Sequence, residues 1–364
     1  MLVAGGGTGG HLYPGVAVAR ELLARVPGST VTFVGTAAGI ESRVIPREGL
    51  TLDTIRSAGL KGKSPAALLR GLLLLPLSAW DAWRVVAKRR PSVVIGVGGY
   101  SSGPVVALAA LRGVPTLLME QNATPGLTNR LLARVVRAAA VTYEESLGTF
   151  GAKAFVAGNP VRPEFFASGD AAAADGRTRV LVFGGSQGAH AINVAMAGAA
   201  AALAAAAPGV HVTHQTGERD LDMVRDAYAA AGLEARVEPF LFEMHREMRV
   251  ADVVVCRAGA TTLAELTAAG RAAILIPLPT ATDDHQRRNG EALARQGAAR
   301  VLDQRDLTPA RLAEEIAALA GDTGERARMS AAARRLARPD AARVIVDRVL
   351  ALAGYDGRTA NRAW

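Results

Sequence analysis

"VAGGGTGGH" fills residues 3–11, and "VFGGSQGAH" fills residues 182–190. The two stretches align without a gap, with His11 and His190 in register. Each is a short apolar run, a glycine turn and the start of a helix. A strand that passes through such a turn into a helix opens a doubly wound α/β domain, so two of them predict two domains in tandem. Strand-like runs at 31–34, 93–97, 116–119, 180–183, 253–256 and 273–277 alternate with helical segments in both halves. Being apolar throughout, they read as parallel strands covered on both faces. The join is expected within "AGNPVRPEFF" at 157–166, where Gly158, Pro160 and Pro163 interrupt any regular element. The expected domains are therefore 1–158 and 159–340, with 341–364 as a C-terminal helix packing back toward the first.

Composition narrows the function classes. The 364 residues exceed the usual size of one core, and a hydrophobic share of 50% with 21% charged residues is an ordinary globular balance. The net charge of +9 favours anionic partners. The cations form no single arm and no aromatic residues interleave with them, so no nucleic-acid partner is expected. Cys256 is the only cysteine, which excludes an intrachain disulfide and fits a reducing compartment. Within "DVVVCRAG" it reads as an inert core thiol. The N-terminal stretch lacks the pattern of a signal peptide, and no run reaches the roughly 18 apolar residues of a membrane span.

Gly5, Gly7 and Gly10 fit G-x-G-x-x-G, the dinucleotide fingerprint. That fingerprint needs an acidic residue about 20 positions on, at the end of the second strand. Here Gly35 and Thr36 follow "VTFV", Glu41 lies farther along, and "GGSQG" does not match the pattern. A nicotinamide cofactor is therefore not expected. Glycine turns at helix N-termini still suit phosphate, because bare N–H groups and the helix dipole point at the anion. A third turn, "GVGGYSSGP" at 96–104, follows the strand "SVVIGV". Three such turns suggest more than one phosphate-bearing ligand, although each alone could serve only a tight bend.

"GGGTGGHLYP", "GVGGYSSGP", "EQNATPGLTN", "GNPVR", "GGSQGAHAIN", "CRAGATTLAEL" and "DDHQRRN" occur in this order. With them the chain resembles, over essentially its whole length, the MurG family, the N-acetylglucosaminyltransferases of bacterial peptidoglycan synthesis. The resemblance implies the GT-B fold, two Rossmann-like domains facing a cleft, with the sugar donor held by the C-terminal one. It implies an inverting transfer of GlcNAc from UDP-GlcNAc to the 4-hydroxyl of MurNAc in lipid I, forming lipid II. Neither a metal nor any other cofactor is implied. The adjacent Asp283, Asp284 and His285 are accordingly not read as metal ligands.

The same resemblance distributes roles among the residues. Gly185, Ser186 and Gln187 cradle the UDP diphosphate, and Arg162 lies near the same phosphates. Glu265 binds the ribose hydroxyls, Leu241 recognises uracil through its backbone, and Gln286 and Asn289 address the GlcNAc hydroxyls. Thr8, Gly9, Gly10, Asn122, Gly259, Ala260, Thr261 and Thr262 complete the donor set. Gly7, Gly98, Gly99, Tyr100 and Ser101 are assigned to the acceptor and its diphosphate. His11 is placed beside the acceptor hydroxyl, and the unperturbed histidine pKa of about 6.5 suits a general base. Glu120 is the alternative base, and the residue patterns do not choose between them. His11 could also serve only to position the acceptor, Arg162 could be a hinge arginine, and Glu265 could be a carboxylate favoured by a helix dipole. Met119 stands where members of the family commonly carry a histidine.

A polyprenyl-linked acceptor requires a bilayer. In residues 60–90 the apolar Leu68, Leu69, Leu72–Leu75, Trp80 and Trp83 are surrounded by Lys61, Lys63, Arg70, Arg84, Lys88, Arg89 and Arg90. That mixture suits an anionic membrane surface. The expected location is the cytoplasmic face of the cell membrane, as a peripheral protein, with cell-wall and division proteins as further partners. Two other functions fit the same residues: a UDP-sugar transferase with a different acceptor, and a non-catalytic UDP-sugar-binding scaffold.

Overall fold

The computed structural model describes residues 1–57, 65–167, 176–185 and 188–355, with side chains left undescribed at 65–73 and 282. The chain forms two compact units. The first comprises Met1–Val161 together with the chain from Arg338 onward, and the second comprises Arg162–Ala337.

The first unit holds seven parallel strands: β1 (Leu2–Gly5), β2 (Thr32–Gly35), β3 (Thr51–Thr54), β4 (Val94–Gly98), β5 (Thr116–Glu120), β6 (Ala138–Val141) and β7 (Ala154–Val156), in the order 3-2-1-4-5-6-7. Alternate residues of the central strands feed two cores. Val3, Phe33, Ile95, Val97 and Leu117 pack on one face with Leu12, Val16 and Ala19 of the helix Gly9–Arg25. The opposite face carries Leu2, Ala4, Val34, Val94 and Leu118, covered by the helices Pro65–Arg89 and Ser102–Leu111. The helix Ala341–Leu352 returns to the first face, burying Ile345, Val346 and Val349 there. Arg25 ties it down through an ion pair to Asp347 at 2.7 Å.

The second unit repeats the plan with six parallel strands: β8 (Thr178–Phe183), β9 (Val210–Gln215), β10 (Ala235–Glu238), β11 (Val253–Cys256), β12 (Ala272–Leu275) and β13 (Arg300–Val301), in the order 10-9-8-11-12-13. In each sheet the strand order reverses once, between β1 and β4 and between β8 and β11. Ligands of open α/β sheets bind in the crevice that such a reversal leaves at the carboxyl ends of the strands. The fold is thus two Rossmann-like doubly wound domains, and all three glycine turns lie at these reversals.

Candidate active site

In the first unit two glycine turns meet backbone to backbone. A Cβ on Gly5 would lie 2.4 Å from the Gly98 carbonyl oxygen, and one on Gly99 would lie 2.5 Å from that of Gly6. Gly7 (φ 85°), Gly98 (φ 94°) and Gly99 (φ 81°) also occupy the left-handed region, where any side chain would add strain. Thr8 then leads into the helix Gly9–Arg25 in extended conformation. Its hydroxyl lies 3.1 Å from Nδ1 of His11. The imidazole packs over Gly98, where an added Cβ would come within 2.7 Å of the ring. Tyr100 places its ring 3.4 Å from the Cβ position of Gly7, and Ser101 is buried beside it. Gly7, Thr8, Gly9, Gly10, His11, Gly98, Gly99, Tyr100 and Ser101 are therefore one neighbourhood built on the ends of β1 and β4.

Glu120, the last residue of β5, is buried, and its carboxylate accepts four hydrogen bonds. The backbone and side-chain N–H groups of Asn122 donate to Oε1 at 3.0 and 3.1 Å. Gly126 N–H and the Asn129 side chain donate to Oε2 at 3.0 and 2.8 Å. Burial raises its pKa, opposed by these donors. Glu120 thus ties the loop 122–129 to the sheet.

In the second unit Gly185 and Gly188 lie against the end of β9. Gly188 (φ 73°) is so close that a Cβ would fall 1.9 Å from the Thr216 carbonyl oxygen. Gln215 links two predicted donor contacts: its Nε2 donates to the Gly185 carbonyl at 2.7 Å, and its Oε1 accepts from Leu241 N–H at 3.0 Å. Ser186 and Gln187 lie outside the described residues. Beneath the turn, Asn193 donates to the Thr216 carbonyl and to Asp220, both at 2.8 Å. His190, at the helix start, contacts Asp220 at 3.0 Å. His214, buried between Asn193 and Tyr228, has its pKa lowered to about 3 by desolvation, so it stays neutral.

The helix Ala260–Ala269 is capped by Gly259, carries Thr261 and Thr262 in its first turn, and holds Glu265 half-buried. Arg162 lies 3.8 Å from that carboxylate and places its guanidinium 5.1 Å from the Phe165 ring centroid. Burial raises the Glu265 pKa to about 7, with Arg162 pulling the other way. The two residues are 103 positions apart in sequence and meet at one point. Farther along, Asp283 (φ 56°) and Asp284 (φ 54°) are consecutive left-handed residues that turn the chain into the helix His285–Arg295. Non-glycine residues in that region carry strain, which clusters at functional sites. The helix presents Gln286, whose Oε1 accepts from Leu278 N–H at 3.0 Å, and the buried Asn289.

The comparisons with known proteins agree with this fold. Residues 1–141 match the model of the glycosyltransferase family 28 N-terminal domain, and residues 179–345 match that of its C-terminal domain. A UDP-N-acetylglucosamine–N-acetylmuramyl-(pentapeptide) pyrophosphoryl-undecaprenol N-acetylglucosamine transferase of Pelobacter propionicus is 46% identical, covering 96% of this chain and 98% of its own. The chain belongs to the MurG family. A relative of the same description from Myxococcus xanthus is 46% identical over 95% of this chain and 91% of its own. The crystal structure of Acinetobacter baumannii MurG superposes with a TM-score of 0.79 at 30% identity, covering 96% of this chain and 98% of the other. The family is one of glycosyltransferases with the GT-B fold, so a dehydrogenase reading of the first glycine turn is excluded.

Two residues bonded to the glycine turns, Gln215 and Glu41, escape sequence reasoning. Gln215 offers only a polar residue at a strand end as a signal, and Glu41 reads there merely as a misplaced dinucleotide acid. Met119, in the family's usual histidine position, is buried in the first unit's core. Cys256 is buried, and desolvation pushes its thiol pKa up to about 12, as an inert core thiol requires. Among the described residues, no three His, Cys, Asp or Glu side chains gather in a group that could hold a metal, and no helix is long and apolar enough to cross a membrane.

Proposed function

We propose that this chain transfers GlcNAc from UDP-GlcNAc to the 4-hydroxyl of MurNAc in lipid I, with inversion, to give lipid II. The observation that carries this reading is the convergence of Arg162 and Glu265 beside the second unit's strand-order reversal, in a chain matched along its length by transferases of that description. The second unit takes the donor. The turn Gly184–Gly188 and Arg162 face the diphosphate, on which charge builds as the glycosidic bond breaks, so fixed N–H donors and a cation favour the transition state over the ground state. Glu265 accepts the ribose hydroxyls as a pair, Leu241 meets uracil, and Gln286 and Asn289 address the sugar with groups that both donate and accept.

The first unit takes the acceptor at its paired turns. His11 acts as the base: it donates Nδ1–H to Thr8 and receives the acceptor's proton on Nε2. Glu120 holds the loop 122–129 in shape instead of taking that proton, because four donors already occupy its oxygens. Transfer of labelled GlcNAc to a short-chain lipid I analogue in EDTA, with UDP-GalNAc as competitor, tests the reading. Metal-free turnover poorly inhibited by UDP-GalNAc is expected. A preparation that binds UDP-GlcNAc and transfers nothing to lipid I refutes it.

Donor affinity should depend on pH through Glu265. Its raised pKa keeps a proton on the carboxylate up to near neutrality, whereas the ribose hydroxyls need the ionised form as acceptor. Affinity therefore rises with pH. With a pKa of about 7, UDP-GlcNAc should bind about 10-fold more weakly at pH 6 than at pH 8, since each unit below the pKa costs a decade. Glu265→Gln should flatten this dependence, and Glu265→Ala should weaken binding about 10- to 100-fold, the loss of hydrogen bonds to a charged group. Calorimetric titration with the two variants checks both; unchanged affinity removes the ribose role.

The acceptor's lipid is met at a membrane surface on the cytoplasmic side. In the first unit, Leu75, Leu77, Trp80 and Trp83 are exposed along one helix, and Leu111, Leu127, Leu131 and Val135 are exposed on the elements that follow. Trp80 and Trp83 stack at 5.2 Å, with the Arg112 guanidinium over Trp83. Indoles and cations around exposed leucines suit a headgroup layer. Lys61 and Lys63 lie outside the described residues, as do the side chains of Leu68, Leu69, Arg70, Leu72 and Leu73. The double variant Trp80→Ser, Trp83→Ser should lower binding to anionic vesicles at least about 10-fold, given the area two indoles bury. Equal co-sedimentation of variant and wild type refutes this surface. Cell-wall and division proteins remain the proposed protein partners at the same membrane.

A further inference from the structure

Glu41 has no part in the reading above, yet it is among the most thoroughly enclosed charges in the first unit. It is buried to 1% exposure. Its Oε1 accepts from the Thr36 N–H at 2.7 Å and the Thr36 hydroxyl at 3.0 Å, and its Oε2 accepts from Gly7 N–H at 2.9 Å. Three glycines leave the room it occupies. A Cβ on Gly6 would lie 2.6 Å from Oε2, one on Gly35 2.4 Å from Cγ, and one on Gly39 2.2 Å from Oε2. The carboxylate is thus bonded to the first glycine turn itself, at the N-terminal end of the helix Gly9–Arg25.

In a nucleotide-binding domain, that end of the helix and the N–H groups of that turn attract a phosphate. Here the protein supplies the anion. Gly7 N–H is directed to Glu41, and a second negative charge brought to the same turn would meet a buried like charge in a medium that screens it poorly. The ends of β2 and β1 are also linked through this one group, which fixes Gly7 and hence the approach to Thr8 and His11.

We propose that Glu41 is a positioning residue for the acceptor: it pins the first glycine turn and neutralises it, so that the turn seats the uncharged acceptor sugar rather than the acceptor's diphosphate. The idea rests on the transferase reading and deepens it by assigning which end of the acceptor faces this turn. The pyrophosphoryl end then falls to other donors, away from His11.

The test uses full-length protein, with UDP-GlcNAc and the short-chain lipid I analogue. Glu41→Gln keeps the size of the group, removes its charge and sets an amide N–H against a donor. Its kcat should fall at least 30-fold with the Kd for UDP-GlcNAc within twofold, because most of the donor residues, Arg162, Leu241, Glu265, Gln286 and Asn289 among them, are in the other unit. Thr36→Val, which deletes one of the three donors, should lower kcat about fivefold. Inorganic pyrophosphate at saturating UDP-GlcNAc should compete with the acceptor at least fivefold more strongly in Glu41→Gln than in wild type, an effect that mere loosening of the turn would not produce. A kcat within threefold of wild type in folded Glu41→Gln, or unchanged pyrophosphate inhibition, overturns the proposal. Failure of the wild type to transfer GlcNAc to the analogue would instead overturn the transferase reading.

Discussion

Replacing His11 by alanine lowers kcat at least 100-fold while UDP-GlcNAc affinity stays within about twofold, the range expected for removal of a general base. The split follows from where the residue sits. His11 belongs to the first turn of the helix after β1, fixed by Thr8 and packed over Gly98. Most of the proposed donor residues, Arg162, Leu241, Glu265, Gln286 and Asn289 among them, belong to the second unit, whereas Thr8, Gly9, Gly10 and Asn122 belong to the first. Loss of the imidazole should also remove the acidic limb of the kcat profile, because an imidazolium cannot accept the acceptor's proton. Pre-steady-state rates of the variant across pH 5.5 to 8.5 check this. An unchanged rate removes His11 as the base.

Glu120→Ala should cost stability first and turnover second. Removing the carboxylate leaves four donors of the loop 122–129 without their acceptor, the Asn129 one buried and the others half-buried. Buried unsatisfied groups cost about 1–3 kcal/mol each before relaxation, so a net loss on the order of 4 kcal/mol is expected once the loop readjusts. For a unit of this size that corresponds to a fall in Tm of roughly 10 °C. Glu120→Gln, which keeps one carbonyl acceptor, should lie between wild type and alanine in both Tm and rate. The comparison separates the two roles open to this residue. A structural carboxylate makes rate and Tm fall together. A catalytic base would lose its rate in Glu120→Gln with Tm intact, and differential scanning fluorimetry beside the kinetic assay distinguishes these outcomes.

Much of the fold is legible because it depends on local chemistry. The glycine turns are legible in "GGGTGG", "GVGGYSSGP" and "GGSQG", since positive φ at Gly7, Gly98, Gly99 and Gly188, and backbone approaches below 3 Å at Gly99 and Gly188, leave little alternative to glycine. The central strands were visible as apolar runs, and β11 spans 253–256 in both sequence and structure. Short edge strands such as β3, β7 and β13 lack a run of buried residues and left no comparable mark. The site was legible to the extent that the family's motifs run through it. Its supports were not: Glu41 reaches Gly7 across 34 residues, and Gln215 reaches Gly185 across 30. Such pairings come from strand register, which no local pattern encodes. Glu120 shows the same limit, since its residue type suits a base and only its four bonded donors indicate otherwise.

Two glycine turns that match so closely in sequence rest on different groups. The second lies on Gln215, Asn193 and the Thr216 carbonyl, and Arg162 belongs to the same unit. The first has a buried carboxylate bonded to it. Repetition of a supersecondary unit therefore leaves room for two different ligands, with the distinction made by residues outside the repeated motif.

The most direct test of the central claim is the linkage of the product. UDP-GlcNAc labelled at the anomeric carbon is incubated with a short-chain lipid I analogue, and the disaccharide is examined by NMR. A single product with GlcNAc β-linked to the 4-hydroxyl of MurNAc is the predicted result. An α-linked product, or GlcNAc attached to any other position, contradicts the account.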